Sequence, residues 1–93
     1  MIKLDWDPAK AKANLTKHGI SFSEVEPAFY DNFALSMPDV FSLSEERFVL
    51  IGRDARNRVL TVSYMYRGEG IRVISARPAT KAERRTYEKG IRF

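Results

Sequence analysis

The sequence predicts an α+β fold in which helices pack against an antiparallel sheet. Capping and stop residues bracket helices at both ends of the chain, runs of apolar residues with the strand period fill the middle, and turn residues separate these runs. The 93 residues favour a single domain, 1–93, and the 44% of hydrophobic residues is typical of a globular chain. The predicted element order is α-α-β-β-β-β-α.

Two helices are predicted near the N-terminus. Asp7 can cap the first, which has proline at its first position, and Gly19 ends it. Ser21 begins the second helix, and Glu24, three residues later, completes a capping box. Pro27 lies too deep for a first helical turn, so we expect it to kink or shorten this helix.

Four strands and a last helix follow. The strands are predicted at residues 33–37, 47–52, 58–67 and 71–77. Strict alternation in the last strand places Arg72 on one face of the sheet and Arg77 on the other. Thr80 and Glu83 form a capping box that opens the terminal helix, and Gly90 ends it.

Basic charge is concentrated in the second half of the chain. Residues 1–44 contain four lysines, six acidic residues and no arginine, whereas residues 45–93 contain ten arginines, two lysines and six acidic residues. The guanidinium group is a planar fork of five donors that suits phosphate, so we expect this half to meet a nucleic acid or another anionic partner. A solvated arginine-rich face is the alternative interpretation.

Several function classes are excluded by what the sequence lacks. With no cysteine and one histidine, the chain has neither a disulfide scaffold nor a set of residues with zinc-ligand spacing. The glycine motifs of nucleotide-binding proteins and the serine motif of the hydrolase elbow are absent. Because no run of about 20 apolar residues or hydrophobic leader is present, we expect a cytoplasmic protein with no membrane contact, cofactor or metal.

RNA cleavage without a metal is the chemistry that remains. It needs a base for the 2′-OH, cations for the phosphate and an acid for the 5′-oxygen. Lys10, Asn14 and Lys17 share a polar stripe of the first helix, with His18 beside them. The candidate cations of the second half are Arg47, Arg58, Arg67, Arg72, Arg77 and Arg84. A capping role at the helix C-terminus suits His18 better than catalysis, and the strand arginines could also be edge charges.

Three groups of residues resemble a known family. They are Trp6-Asp7-Pro8-x-Lys10-Ala11-x-x-Asn14-x-x-Lys17-His18-Gly19-Ile20-Ser21-Phe22, then Glu46-Arg47 with Ile51-Gly52, and Ile71-Arg72-x-Ile74-Ser75-Ala76-Arg77 followed by Glu83-Arg84-x-x-Tyr87. Together they resemble the BrnT toxins, the ribonuclease half of the BrnT/BrnA type II toxin–antitoxin systems. The resemblance implies a RelE-like fold, with two N-terminal helices on a four-stranded antiparallel sheet and a short C-terminal helix.

The resemblance also implies a function and its partners. An endoribonuclease that inhibits translation is expected, with a ribbon-helix-helix antitoxin similar to BrnA that neutralises it and binds operator DNA in complex with it. The predicted catalytic residues are Arg72, Arg77, Arg47 and Arg84 for the phosphate and Tyr87, His18 or Glu46 for proton transfer. The predicted further RNA contacts are Lys10, Lys17, Arg58 and Arg67. A nucleic-acid-binding module without catalysis and a protein-interaction subunit are the alternative functions.

Overall fold

A computed structural model, which describes residues 2–42 and 46–90, has one sheet with helices on both faces. The strands are β1 (Leu4–Asp5), β2 (Leu35–Pro38), β3 (Phe48–Arg53), β4 (Val59–Arg67) and β5 (Gly70–Pro78), and the α-helices are α1 (Pro8–His18) and α2 (Lys81–Lys89). The strand order is β1-β5-β4-β3-β2, with β1 parallel to β5 and every other pair antiparallel. The predicted α+β class is confirmed. The prediction of four antiparallel strands is wrong, because β1 adds a parallel fifth strand.

The first helix begins and ends where its capping residues predict. The Asp7 side chain accepts a hydrogen bond from the backbone N–H of Ala9 at 2.9 Å. Gly19 follows the last helical residue with a φ of 72°, a conformation that glycine adopts without steric cost. Leu4 and Trp6, which precede the helix, both pack against the main core.

The predicted second helix is replaced by two short 3₁₀ helices, Phe22–Glu24 and Glu26–Tyr30. The break falls where proline was expected to shorten the helix, and Pro27 lies in the first turn of the second piece. The predicted Ser21–Glu24 capping box is wrong, because the Ser21 hydroxyl instead contacts the hydroxyl of Ser23 at 2.8 Å.

The main core lies between the sheet and a layer formed by α1 and the two 3₁₀ helices, which we call the helix layer. It comprises Ile20, Phe22, Val25 and Ala28 from the helix layer and Leu50, Leu60, Val62, Tyr64, Val73 and Ala76 from the sheet. The two layers approach closely at Gly52, where a Cβ atom would lie 2.8 Å from the carbonyl oxygen of Ala28. Glycine is therefore required for this approach.

A smaller apolar cluster joins α2 to the opposite face of the sheet. Tyr87 packs there with Ile51 and Val59, and Ala79 lies against them. The predicted capping box of α2 is confirmed: the Thr80 hydroxyl accepts from the Glu83 N–H, and the Glu83 carboxylate accepts from the Thr80 N–H. Neither α-helix in the described part of the chain has the length and apolar character needed to span a bilayer.

Asn14 connects α1 to the sheet from a buried position. Its amide nitrogen donates to the carbonyl oxygens of Ile20 at 3.0 Å and Ala76 at 2.8 Å, and its oxygen accepts from the Ala76 N–H at 3.1 Å. The side chain thus satisfies both backbone groups of Ala76 as a neighbouring strand would. Asn14 therefore does not belong to a solvent-facing stripe with the exposed Lys10 and Lys17.

Asn14→Ala should destabilise the fold substantially. The substitution removes three hydrogen bonds and leaves buried backbone groups without partners, so we expect the free energy of unfolding to fall by about 2–4 kcal/mol. Urea unfolding followed by circular dichroism measures this change. Lys17→Ala, at an exposed position of the same helix, is the matched control and should stay within about 0.5 kcal/mol. Equal stability of the two variants would contradict the anchoring role.

Candidate active site

The face of the sheet opposite the helix layer, which we call the open face, is only partly covered by α2. Residues paired across neighbouring strands point to the same face, so the strand registers define its composition. Three of its rows bear on the site: Thr61 beside Arg77, Ser63 beside Ser75, and Met65 beside Arg72 with Asp5 of β1 next to it. Because α2 packs over Ile51 and Val59, it covers the end with Arg77 and leaves the end with Arg72 uncovered.

All four arginines within the described strands point to the open face. Arg53 is paired with Val59, Arg72 with Met65 and Arg77 with Thr61, and Arg67 follows Met65 with the strand period of two. Strand pairing thus collects cations on one rigid surface.

A β-bulge in β5 places Arg72 and Arg77 on the same face. Ser63 is paired with Ser75 and Tyr64 with Val73, so Ile74 has no partner on β4. The prediction that Arg72 and Arg77 lie on opposite faces is therefore wrong, because it assumed strict alternation. Their partners are four residues apart on β4, which separates the two Cα atoms by about 13 Å.

Arg77 fastens α2 to the open face. Its guanidinium donates to both carboxylate oxygens of Glu83, at 2.7 and 2.9 Å, and the Thr61 hydroxyl donates to the same carboxylate at 2.9 Å. These contacts, led by the hydrogen bonds from Arg77, lower the pKa of Glu83 from 4.5 to about 2. The same hydrogen bonds raise the pKa of Arg77. Glu83 is thus held as an anion, and its charge is balanced by Arg77.

Arg72 has a looser carboxylate contact at the uncovered end. Its Nε atom lies 3.3 Å from Asp5 Oδ1, and the side chains of Arg72 and Asp5 are 28% and 57% exposed. Arg47 directly precedes β3, and its carbonyl accepts from the Asp39 N–H at 2.8 Å, so the β2–β3 ladder continues to it. Extending the β3–β4 register by one residue sets Arg47 opposite Met65 and about 10 Å from Arg72 across the sheet.

Tyr87 is buried and bonded within the fold. Its hydroxyl donates to Asp31 Oδ2 at 2.6 Å, and the Arg53 guanidinium lies 5.5 Å from the ring centroid. Burial, followed by the hydrogen bond to Asp31, raises the pKa of the Tyr87 hydroxyl. Burial also raises the pKa of Asp31, but hydrogen bonds from Tyr87 and from the backbone of Phe33 and Arg53 outweigh it and lower that pKa overall. This network holds the C-terminal half of α2.

The remaining predicted residues are dispersed over the molecule. Lys10, Lys17 and His18 lie on α1, in the helix layer and so behind the open face. The Arg58 guanidinium is paired with Asp54 at 2.7 Å.

Two more predicted residues are exposed. Arg84 lies on α2, and Glu46 precedes Arg47. The structure thus brings together Arg47, Arg67, Arg72 and Arg77 and leaves the α1 residues apart from them.

Sequence reasoning missed the carboxylates that contact these groups. Asp5 lies in a strand of two residues, too short to show a period, and Asp31 contacts a helix 56 positions away. The capping box did point to Glu83, but not to its contact with Arg77. Within residues 2–42 and 46–90, no three His, Asp or Glu side chains are grouped so that they could hold a metal ion.

The comparisons with known proteins agree on one family. A family model described as "Ribonuclease toxin, BrnT, of type II toxin-antitoxin system" matches residues 6–83. Among solved structures, the chain is similar to the Brucella abortus ribonuclease toxin BrnT, a crystal structure at 1.1 Å resolution. That match has 26% sequence identity and a TM-score of 0.66, and covers 87% of this chain and 100% of the other. No curated protein matches the sequence.

Glu83→Gln should remove a pH-dependent part of the stability. A group whose folded pKa is lowered stabilises the fold above its unfolded pKa, so this contribution is present above pH 4.5 and is lost as the pH falls toward about 2. The glutamine side chain can still accept the hydrogen bond from the Thr80 N–H, so the loss of stability measures the contribution of the negative charge of Glu83. We expect the variant to be less stable by about 2–3 kcal/mol at pH 7.

Urea unfolding across this pH range tests the linkage. The stability difference between wild type and Glu83→Gln should shrink as the pH approaches 2, and Arg77→Met should show the same trend because it removes the partner. A difference that stays constant with pH would contradict the assignment.

Proposed function

The chain belongs to the BrnT family of ribonuclease toxins of type II toxin–antitoxin systems, as its sequence motifs predicted, and we propose that it is a metal-independent endoribonuclease that inhibits translation. The observation that carries the proposal is the collection of Arg67, Arg72 and Arg77 on the open face, with Arg47 beside them. Arginine binds phosphate through two parallel hydrogen bonds, so this surface suits an RNA backbone.

The proposed reaction needs electrostatic stabilisation at the phosphorus atom. Attack by the 2′-oxygen increases the negative charge on the phosphate, and rigid cations that face it lower the barrier without reorganising. Arg72 is the main candidate for this role, because it lies at the uncovered end of the open face. Arg77 would contact a neighbouring phosphate, with Arg47 or Arg84 as further contacts.

The groups proposed for proton transfer differ in their surroundings. Tyr87 is buried and donates its proton to Asp31, and His18 lies in the helix layer. Of the three, Glu46 is exposed and directly precedes Arg47 in the chain.

An antitoxin is the partner that membership of a type II system implies. We propose that it is a ribbon-helix-helix protein similar to BrnA, that the complex binds operator DNA, and that both proteins act in the cytoplasm. Exposed apolar side chains around β2 favour such a protein contact. Of seven exposed large hydrophobic residues in the described part of the chain, five fall between positions 30 and 41: Tyr30, Phe33, Met37, Val40 and Phe41.

Arg72→Ala should abolish most RNA cleavage. Loss of one well-placed donor to the transition state costs on the order of 10²–10³-fold in rate. Purified protein is incubated with total RNA in EDTA, which tests metal independence in the same experiment. Arg56→Ala is the matched control, since Arg56 is exposed and paired with Glu24. Equal cleavage by both variants would refute the site.

The same experiment separates the alternative functions. A nucleic-acid-binding module would bind RNA with a salt-dependent Kd and release no product. If wild type cleaves neither free RNA nor RNA on translating ribosomes, the proposed function is wrong.

Val40→Asp with Phe41→Asp should weaken antitoxin binding and leave cleavage unchanged. Val40 and Phe41 are 80% and 88% exposed, so charge there should disturb a partner contact more than the fold. The measurement is rescue of growth when the neighbouring gene is co-expressed with toxin or variant. Leu15→Asp, an exposed apolar position on α1, is the control. Full rescue of the double variant would place the antitoxin elsewhere.

A further inference from the structure

The carboxylates of the open face differ in their availability as proton acceptors. Two described residues, Asp5 and Glu83, have carboxylates that form ion pairs with the guanidinium groups of its arginines. Glu83 accepts two hydrogen bonds from Arg77 and one from Thr61, and its pKa of about 2 makes it a poor base. Asp5 Oδ1 lies 3.3 Å from Arg72 Nε, and the Asp5 side chain is 57% exposed, so a substrate hydroxyl can reach it.

Strand pairing fixes Asp5 beside the arginine proposed to hold the phosphate. β1 is parallel to β5, with Leu4 paired to Ile71 and Asp5 to Arg72. Leu4 and Ile71 pack against the main core, so the two charged side chains that follow them point to the open face. The closest approach joins the Nε atom of Arg72 to Asp5 Oδ1, at 3.3 Å.

A cleft next to Asp5 provides room for a nucleotide. It has a volume of about 540 Å³ and lies between β1 and the turn that joins β4 to β5. Asp5 lines it together with Lys3, Arg67 and Glu69. Lys3 and Arg67 give the cleft cations for a second phosphate, and its volume is in the range of ordinary ligand sites.

We propose that Asp5 is the general base of the reaction, an inference that rests on the proposed ribonuclease function. Asp5 takes the proton of the 2′-OH while Arg72 holds the adjacent phosphate. The 2′-oxygen forms a bond to phosphorus and the bond from phosphorus to the 5′-oxygen breaks. The departing 5′-oxygen takes a proton from water, which leaves a 2′,3′-cyclic phosphate and a 5′-hydroxyl. Asp5, Arg72 and water thus supply the base, the cation and the acid that this cleavage needs.

Asp5→Asn separates catalysis from binding. We expect the single-turnover cleavage rate to fall on the order of 10²–10⁴-fold, the usual effect of losing a general base. The Kd for an RNA with 2′-O-methyl groups, which cannot react, should stay unchanged or become tighter because a negative charge is removed. The falling acidic limb of the pH–rate profile should be absent in the variant.

Asp7→Asn is the matched control, since it makes the same change two residues away and asparagine caps a helix as well as aspartate does. Thermal unfolding of both variants checks that they are folded. Cleavage by Asp5→Asn at the wild-type rate overturns the inference.

Two other outcomes also overturn the inference. A parallel loss of cleavage and RNA affinity means that Asp5 only positions Arg72. If Asp5→Asn still cleaves RNA and Glu69→Gln does not, the base is Glu69, in the turn that joins β4 to β5. In all three cases wild type still cleaves RNA, so the proposed function stands. If wild type cleaves neither free RNA nor RNA on ribosomes, both proposals fail together.

Discussion

The β-bulge at Ile74 is the constraint on which the candidate site depends. Up to Ser75 the pairing of β4 and β5 places Arg77 on the open face, and beyond the bulge it places Arg72 there too. Without the extra residue, Arg72 would point into the helix layer and Val73, which is 1% exposed in the main core, would point out. The bulge therefore serves the core and the site at once. Such a local break in alternation is typical of strands next to functional sites.

The charged residues of the open face divide into two groups. Arg77, Glu83 and Arg53 surround α2, where Tyr87 and Asp31 complete the attachment of the helix. α2 has only a small apolar cluster beneath it, so these polar contacts carry much of its attachment. Arg72, Asp5 and Arg67 lie at the other end, which neither α-helix of the described residues covers. The arginines and carboxylates at one end thus hold α2 in place, and those at the other end are accessible to a ligand.

The sequence predicted the features that depend on local chemistry. The cap at Asp7, the capping box at Thr80 and the glycines after both α-helices need only neighbouring residues, and all were placed correctly. The long strands followed from their apolar runs. The Ser21 capping box was wrongly predicted because this region, which contains Pro27, forms two 3₁₀ helices. A 3₁₀ helix has fewer residues per turn than an α-helix, so Ser21 and Glu24 do not have the relative positions that a capping box needs.

The features that the sequence did not predict depend on contacts between distant segments. A two-residue strand has no period, and β1 forms because Gly70 lets it approach: a Cβ there would lie 2.7 Å from the carbonyl oxygen of Lys3. Asp5 enters the site only through that pairing. The cations of the site could be predicted as residue types, but their common face could not, because one unpaired residue reverses the side of every residue beyond it.

The partners of the arginines decide where the open face can hold phosphate. A phosphate that approaches Arg77 must compete with a carboxylate that already has two short hydrogen bonds to the same guanidinium. At Arg72 the competing contact is looser, with 3.3 Å between Nε and Asp5 Oδ1. Displacing Glu83 would also loosen α2, because Glu83 attaches this helix to Arg77. Phosphate binding should therefore concentrate at the uncovered end, and this is the end at which a carboxylate, a cleft and a cation meet.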